Sequence, residues 1–281
     1  MENGAILLSS YPKSGNTWLR FLLEANRRNG KLDMNDVRIC TADTDASIIR
    51  SVCALSLEEL GWGGQMLVRP AALISLFNHM STPMYCKTHF ANIQPDGLPH
   101  CIPKEITERA VYIVRDPRSV VLSMSRFFGF SIDKAVEAMA SKDFRIGDNL
   151  KTASCLLSSW SNHVASWTTD KRYPVHIVKY EDLLEDTEKE LVEVLDFLGE
   201  DVDKKVVKKA VEVTKMENLR AKEEKDGFRE NAGKGERFFN GGGSRWESEL
   251  GPKWIKQIED DHSLAMQAVG YLENVTELRA V

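Results

Sequence analysis

Ala5-Ile6-Leu7-Leu8-Ser9-Ser10-Tyr11-Pro12-Lys13-Ser14-Gly15-Asn16-Thr17-Trp18 starts apolar, turns through a lysine and a glycine, and opens a helical pattern that runs to about Arg28 and stops near Gly30. A short apolar run closed by turn residues is the pattern of a buried strand. Strand, tight turn and helix together make an anion cradle. The N–H groups at a helix start lack intrahelical partners, and the helix dipole favours negative charge there. Lys13 adds a full charge, Ser14, Asn16 and Thr17 add side-chain donors, and Gly15 lets the backbone approach a ligand closely. A nucleotide triphosphatase loop carries its lysine after a second glycine. Here Lys13 precedes Gly15, and Gly4 lies ahead of the strand. The turn is therefore too short to wrap a β/γ-phosphate pair and suits a single terminal phosphate. The plain alternative, an N-capped helix with an exposed lysine, needs only the serine and the asparagine.

Outward from this stretch, apolar runs alternate with helical patterns. Pro83 to Lys87 reads as a second strand, preceded by a helix opening at Pro70, since proline is favoured in a first turn. Ala110 to Val114 is a β-branched strand closed by Arg115-Asp116-Pro117, and Val175 to Tyr180 is another, followed by a helix from Thr187 to Leu198 that Gly199 stops. Long helices are expected over Asn149–Trp167, Asp203 to about Glu223, and Pro252 to about Val269. Strands alternating with helices imply a central, mostly parallel sheet covered on both faces. The expected fold is α/β, P-loop-like and three-layered, in one domain spanning residues 1–281. Asp226 to Arg245 is rich in glycine and charge and lacks periodicity, which marks it as a lid-like loop.

The bulk numbers exclude several classes. With 281 residues, 42% hydrophobic and 28% charged, the chain can bury a sizeable core. Its net charge of −5 argues against a nucleic-acid or anionic-membrane surface, so an anionic ligand needs a local cluster of donors. The five cysteines are scattered without Cys-x-x-Cys spacing, which suits reduced, buried thiols. Ala5 to Leu8 is too short for a signal peptide, and no stretch nears the roughly 18 apolar residues of a membrane span. A cytoplasmic protein is expected, with the sequon at Asn274 silent and the oligomeric state open.

Tyr11 through Trp18 closely resembles the 5′-phosphosulfate-binding loop of the cytosolic-type sulfotransferases, which use 3′-phosphoadenosine-5′-phosphosulfate (PAPS) and release PAP; the family more often has Thr where Asn16 stands. Lys87-Thr88-His89-Phe90 is similar to the family's Lys-Thr-His segment. Tyr112 to Ser123 resembles its 3′-phosphate segment, with Arg115 at the strand end and Ser123 in the ensuing helix. The resemblance implies His89 as catalytic base, Lys87 near the sulfonyl group, Tyr180 near the adenine, and Ser123 on the 3′-phosphate and holding back Lys13. The chemistry agrees. An imidazole with an ordinary pKa of about 6.5 can take an acceptor proton at neutral pH. A 3′-phosphate carries roughly −1.5 to −2 charge, which an arginine fork and a hydroxyl receive well. Trp18 reads equally as an adenine-stacking ring or a core residue, and Arg118 as a solvated helix-start residue.

One station departs from the family. The usual Arg-Lys-Gly-x-x-Gly closing motif, anchored on Gly241 and Trp246, puts Phe239 and Asn240 where the basic pair belongs. Arg237, or Lys234 or Arg245, is the expected substitute. The resemblance thus implies sulfonyl transfer from PAPS to a hydroxyl or amine of a small-molecule acceptor, without metal. Lys13 would neutralise the leaving 5′-phosphate oxygen. Phe127-Phe128-Gly129-Phe130, Trp62 and Phe144 suit either an acceptor pocket or the core. The rival readings are a P-loop nucleotide or nucleoside kinase, disfavoured by the lysine's place, and a donor-binding relative without turnover.

Overall fold

The computed structural model describes residues 4–78, 84–147, 149–231, 237–239 and 246–273. Five strands form a parallel sheet: β1 (Ala5–Ser10), β2 (Cys40–Ala42), β3 (Met84–Thr88), β4 (Thr107–Val114) and, after a separate antiparallel pair β5 (Arg145–Ile146) and β6 (Cys155–Leu156), β7 (Val175–Lys179). Their order across the sheet is β2-β3-β1-β4-β7. This is the expected α/β architecture of a central parallel sheet flanked by helices.

Side chains alternate between the two faces of a strand, and the two cores follow that alternation. Ala5, Leu7, Cys86, Ala110, Tyr112 and Val114 enter one core, where they meet the helices Leu57–Asn78, Pro117–Phe128, Trp160–Thr168 and Pro252–Ala268. Ile6, Leu8, Tyr85, Val111, Ile113 and Val178 enter the other, against the helices Asn16–Arg27, Thr187–Leu198 and Lys204–Val213. Every residue of β1 is buried, as a central strand covered on both faces must be. Register then brings the strand ends together: Ser9 pairs with Thr88, Ser10 with Ile113, and Val114 with Lys179. Tyr11, His89, Arg115 and Tyr180 therefore leave four adjacent strands at the same sheet edge. Chain connectivity crosses from one side of β1 to the other there, the place where open parallel sheets leave a crevice.

Three helix expectations fail. Pro70 lies inside the helix Leu57–Asn78, whose backbone departs from helical geometry at Gly61 instead (φ 55°). Buried Met66, Ala72, Leu73 and Phe77 continue the apolar face past the proline, and their burial outweighs its local cost. Asn149–Trp167 is not one helix. Asn149 and Thr152 bridge a tight turn, Cys155–Leu156 pairs with Arg145–Ile146, and the helix starts only at Trp160, capped by the Ser159 side chain on Asn162 N–H. Serines compete for backbone groups and favour caps over helix interiors. Finally, Asp203–Glu223 divides into Lys204–Val213 and Met216–Asp226. At the break, Thr214 carbonyl accepts the indole N–H of Trp18 at 3.0 Å, a tertiary bond no helical period announces. Among the described residues, no helix is long and apolar enough to cross a membrane.

Candidate active site

The turn after β1 is built from backbone geometry. Lys13 takes a left-handed conformation (φ 70°), as does Gly15 (φ 102°). A lysine there is strained, and such strain persists only when the surroundings over-determine it. Gly15 is required on a second count, because a Cβ on it would stand 2.5 Å from the Tyr180 ring. Gly15 is also the N-cap of Asn16–Arg27 and supplies no side-chain cap. Asp45, Asp116, Ser131, Ser159, Asp186 and Asp203 each cap their helices with a side chain. The helix Asn16–Arg27 is thus left open at its start. The Ser14 hydroxyl is buried and has no hydrogen-bond partner among the described residues.

A cleft of about 830 Å³ opens above these groups. Lys13, Gly15, Asn16, Thr17, Trp18, Lys87, His89, Arg115, Ser123 and Tyr180, all anticipated from sequence, line it. Several do so in roles the sequence did not disclose. Asn16 donates to Leu8 carbonyl at 2.9 Å, tying the helix start to β1. Thr17 Oγ1 accepts from Arg20 at 3.1 Å. Trp18 is buried edge-on to Tyr180, with ring centroids 5.9 Å apart. Arg115 donates to Lys13 carbonyl at 3.0 Å and lies 4.2 Å over the Tyr180 ring. Arg115 and Tyr180 therefore brace the strained loop from beneath.

His89 Nδ1 sits 2.8 Å from Ser10 carbonyl. A carbonyl only accepts, so Nδ1 carries the proton and Nε2 keeps its lone pair. Burial, reinforced by the positive charge of Lys87, holds the imidazole pKa well below its ordinary value, so the ring is neutral at pH 7. Behind it lies a residue that sequence reasoning passed over. His163, fully buried, donates from Nε2 to His89 carbonyl at 3.1 Å and accepts from Tyr112 hydroxyl at 3.0 Å on Nδ1. Its helical setting resembled that of any core histidine; no sequence signal marked it.

Lys13 Nζ rests between two aromatic faces, 4.0 Å from the Phe127 ring centre and 4.1 Å from that of Phe238. Burial, then the charges of Arg115 and Lys87, lower its pKa to about 8. Lys87 is held below its ordinary range by burial and Arg20. Ser119, missed in the sequence, also lines the cleft one helical turn before Ser123, with a buried hydroxyl lacking a partner among the described residues. Asn240, Gly241, Lys234 and Arg245 lie outside the described residues. Arg237 is not among the cleft-lining residues and pairs with Glu224 at 2.8 Å, both side chains exposed. Arg118 is buried, not solvated, bonded to Asp116 and Glu259 and stacked 3.8 Å over Trp246. Phe127 and Phe128 line the cleft, whereas Trp62, Phe130 and Phe144 pack against the core.

Known proteins resemble the chain in sequence and fold. Sulfotransferase 1B1 of Canis lupus familiaris is 26% identical over 219 residues, covering 76% of this chain and 66% of that protein. Sulfotransferase 1 family member D1 of Rattus norvegicus is 28% identical over 205 residues, covering 73% and 62%. The chain thus spans just under two thirds of the length of these curated relatives. Among solved structures, mouse sulfotransferase SULT7A1 complexed with PAP superposes with a TM-score of 0.61 at 21% identity, covering 96% of this chain and 87% of that one. Retinol dehydratase in a complex with retinol and PAP gives 0.62 at 17% identity, covering 99% and 83%. These two establish the shared fold. The family model of the sulfotransferase domain matches residues 3–270, and the chain belongs to that family.

Proposed function

We propose that the chain transfers a sulfonyl group from PAPS to a hydroxyl or amine of a small-molecule acceptor, and that residues 1–281 act as one domain in doing so. The convergence of Lys13, His89, Arg115 and Ser123 on one cleft, at the ends of three adjacent strands and in the helix that follows, carries this reading. The cradle fits a phosphorylated donor: an open helix start, an unpartnered buried Ser14 hydroxyl and a glycine that no Cβ could replace. Arg115, Ser123 and the neighbouring Ser119 offer a cation and two hydroxyls to a 3′-phosphate, and Trp18 and Tyr180 flank the adenine side.

The residues divide the chemistry among themselves. His89 Nε2 takes the proton of the acceptor as its oxygen or nitrogen bonds to sulfur, while the bond from sulfur to the 5′-phosphate oxygen breaks. Lys13, still mostly charged at pH 7 with a pKa of about 8, offsets the charge growing on that oxygen. Phe127, Phe128 and Ile146 give the cleft an apolar wall suited to the body of a small alcohol or phenol. Incubating the protein with labelled PAPS and a mixed acceptor library, with products identified by mass, tests the reading. Label transfer that His89→Ala abolishes is the expected result. PAPS binding without transfer to any acceptor would instead favour a donor-binding protein.

A further inference from the structure

Glu230 enters the cleft from the stretch that follows the helix Met216–Asp226. Its carboxylate accepts two hydrogen bonds from the same Arg20 nitrogen, at 2.9 and 2.7 Å, and lies 3.6 Å from Lys87 Nζ. Arg20 is buried on the phosphate-loop helix, bonded to Thr17 Oγ1, and its Nε has no partner among the described residues. Lys13 feels the Glu230 charge as well. Two cations, Arg20 and Lys87, therefore converge on one carboxylate inside a ligand cleft. Burying a guanidinium needs a counter-charge, and this one comes from a surface segment, not from the core.

We propose that Arg20 and Lys87 form an oxyanion subsite in which the Glu230 carboxylate is a removable internal occupant, displaced by the sulfonyl oxygens of the donor. The inference rests on the sulfotransferase reading above and adds Arg20 and Glu230 to it. Both ligands present the same chemistry, a delocalised oxyanion with two or three acceptor atoms, which suits an arginine fork beside an ammonium. Once the sulfonyl group leaves with the acceptor, the subsite loses its ligand and Glu230 returns. The carboxylate thereby opposes donor binding but not product binding.

Glu230→Gln keeps shape and removes the charge. Calorimetry on the full chain should show the variant binding PAPS about tenfold or more tighter than the wild type, the equivalent of one charge-assisted bond. PAP affinity should change less than about threefold. An unchanged ratio of PAPS to PAP affinity overturns the proposal. So does an effect confined to KM for carboxylate-bearing acceptors, which would assign the subsite to the acceptor. Inorganic sulfate against chloride at matched ionic strength separates this inference from the reading it rests on. Sulfate should raise Tm of Glu230→Gln more than that of the wild type, even if neither binds a nucleotide. Nucleotide binding with no gain in sulfate response leaves the sulfotransferase reading standing and removes this one.

Discussion

The turn Tyr11–Trp18 and the described residues 227–231 and 237–239 contribute to the same cleft and are held in place by opposite means. The turn is made of backbone: two left-handed residues, an uncapped helix start, and carbonyls of Leu8 and Ser10 that orient Asn16 and His89. Gly227–Phe239, over its described part, is held by side chains. Phe228, Phe238 and Phe239 cluster with Phe21, Glu223 receives the N–H groups of Phe238 and Phe239, and Glu230 reaches Arg20. Backbone geometry set by a central strand cannot shift without disturbing the sheet. Side-chain contacts on a surface segment can be exchanged for ligand contacts. On the function proposed above, the turn is a preformed receptor and the described part of the second region a cover that ligand contacts can replace.

The contrast predicts a graded series. The largest loss belongs to His89→Ala, with kcat reduced about 10²–10⁴-fold for removal of a general base. Because burial and Lys87 depress the histidine pKa, the wild-type rate should show no acid limb between pH 6 and 8. A limb near pH 6.5 would mean that the working base is another group. Gly15→Ala comes next. It adds a left-handed alanine and a 2.5 Å encounter with Tyr180, so it should lower stability by about 1–3 kcal/mol in denaturant titration and weaken PAP binding. A fully stable, fully binding Gly15→Ala would end the view of the turn as a rigid receptor.

Folding should also depend on pH from the core side of the site. Burial lowers the pKa of His163 to about 3 and that of His262 to about 4. In the unfolded chain each takes a proton near pH 6.5, whereas the folded chain refuses it. Stability is therefore complete above about pH 6.5 and falls as pH drops toward 3–4, by about 1.4 kcal/mol per pH unit for each histidine. Urea titrations at pH 7 and pH 5 measure it, and His163→Gln should lessen the slope.

On the cover, effects should be smaller. Phe238→Ala removes one of the two aromatic faces around Lys13, worth about 0.5–2 kcal/mol. It also exposes the ammonium, so the alkaline decline of PAP affinity should move from near pH 8 to higher pH. The smallest effect is expected at Arg237, an exposed partner of exposed Glu224. Arg237→Ala should leave PAP affinity within about twofold, since such surface pairs contribute little. A tenfold loss would return Arg237 to the 3′-phosphate.

The sequence alone determined four of the five strands of the sheet, the cradle and ten of the residues that line the cleft, because each is written in local chemistry. Apolar runs of strand length make parallel strands, a lysine and glycine between strand and helix make an anion turn, and residues following strand ends fall at one sheet edge by the topology rule. Tertiary structure decided what depends on partners distant in the chain. Thr214 breaks a long helical pattern where it receives Trp18, and Ser158-Ser159 delays the helix at Trp160. Tyr180 requires a glycine at position 15, Asn16 bonds the strand it follows, and His163 supports the His89 carbonyl. Glu230 reaches Arg20 across 210 positions of the chain. A periodic pattern reports which face a residue shows to a core; it carries no information about which particular group waits there.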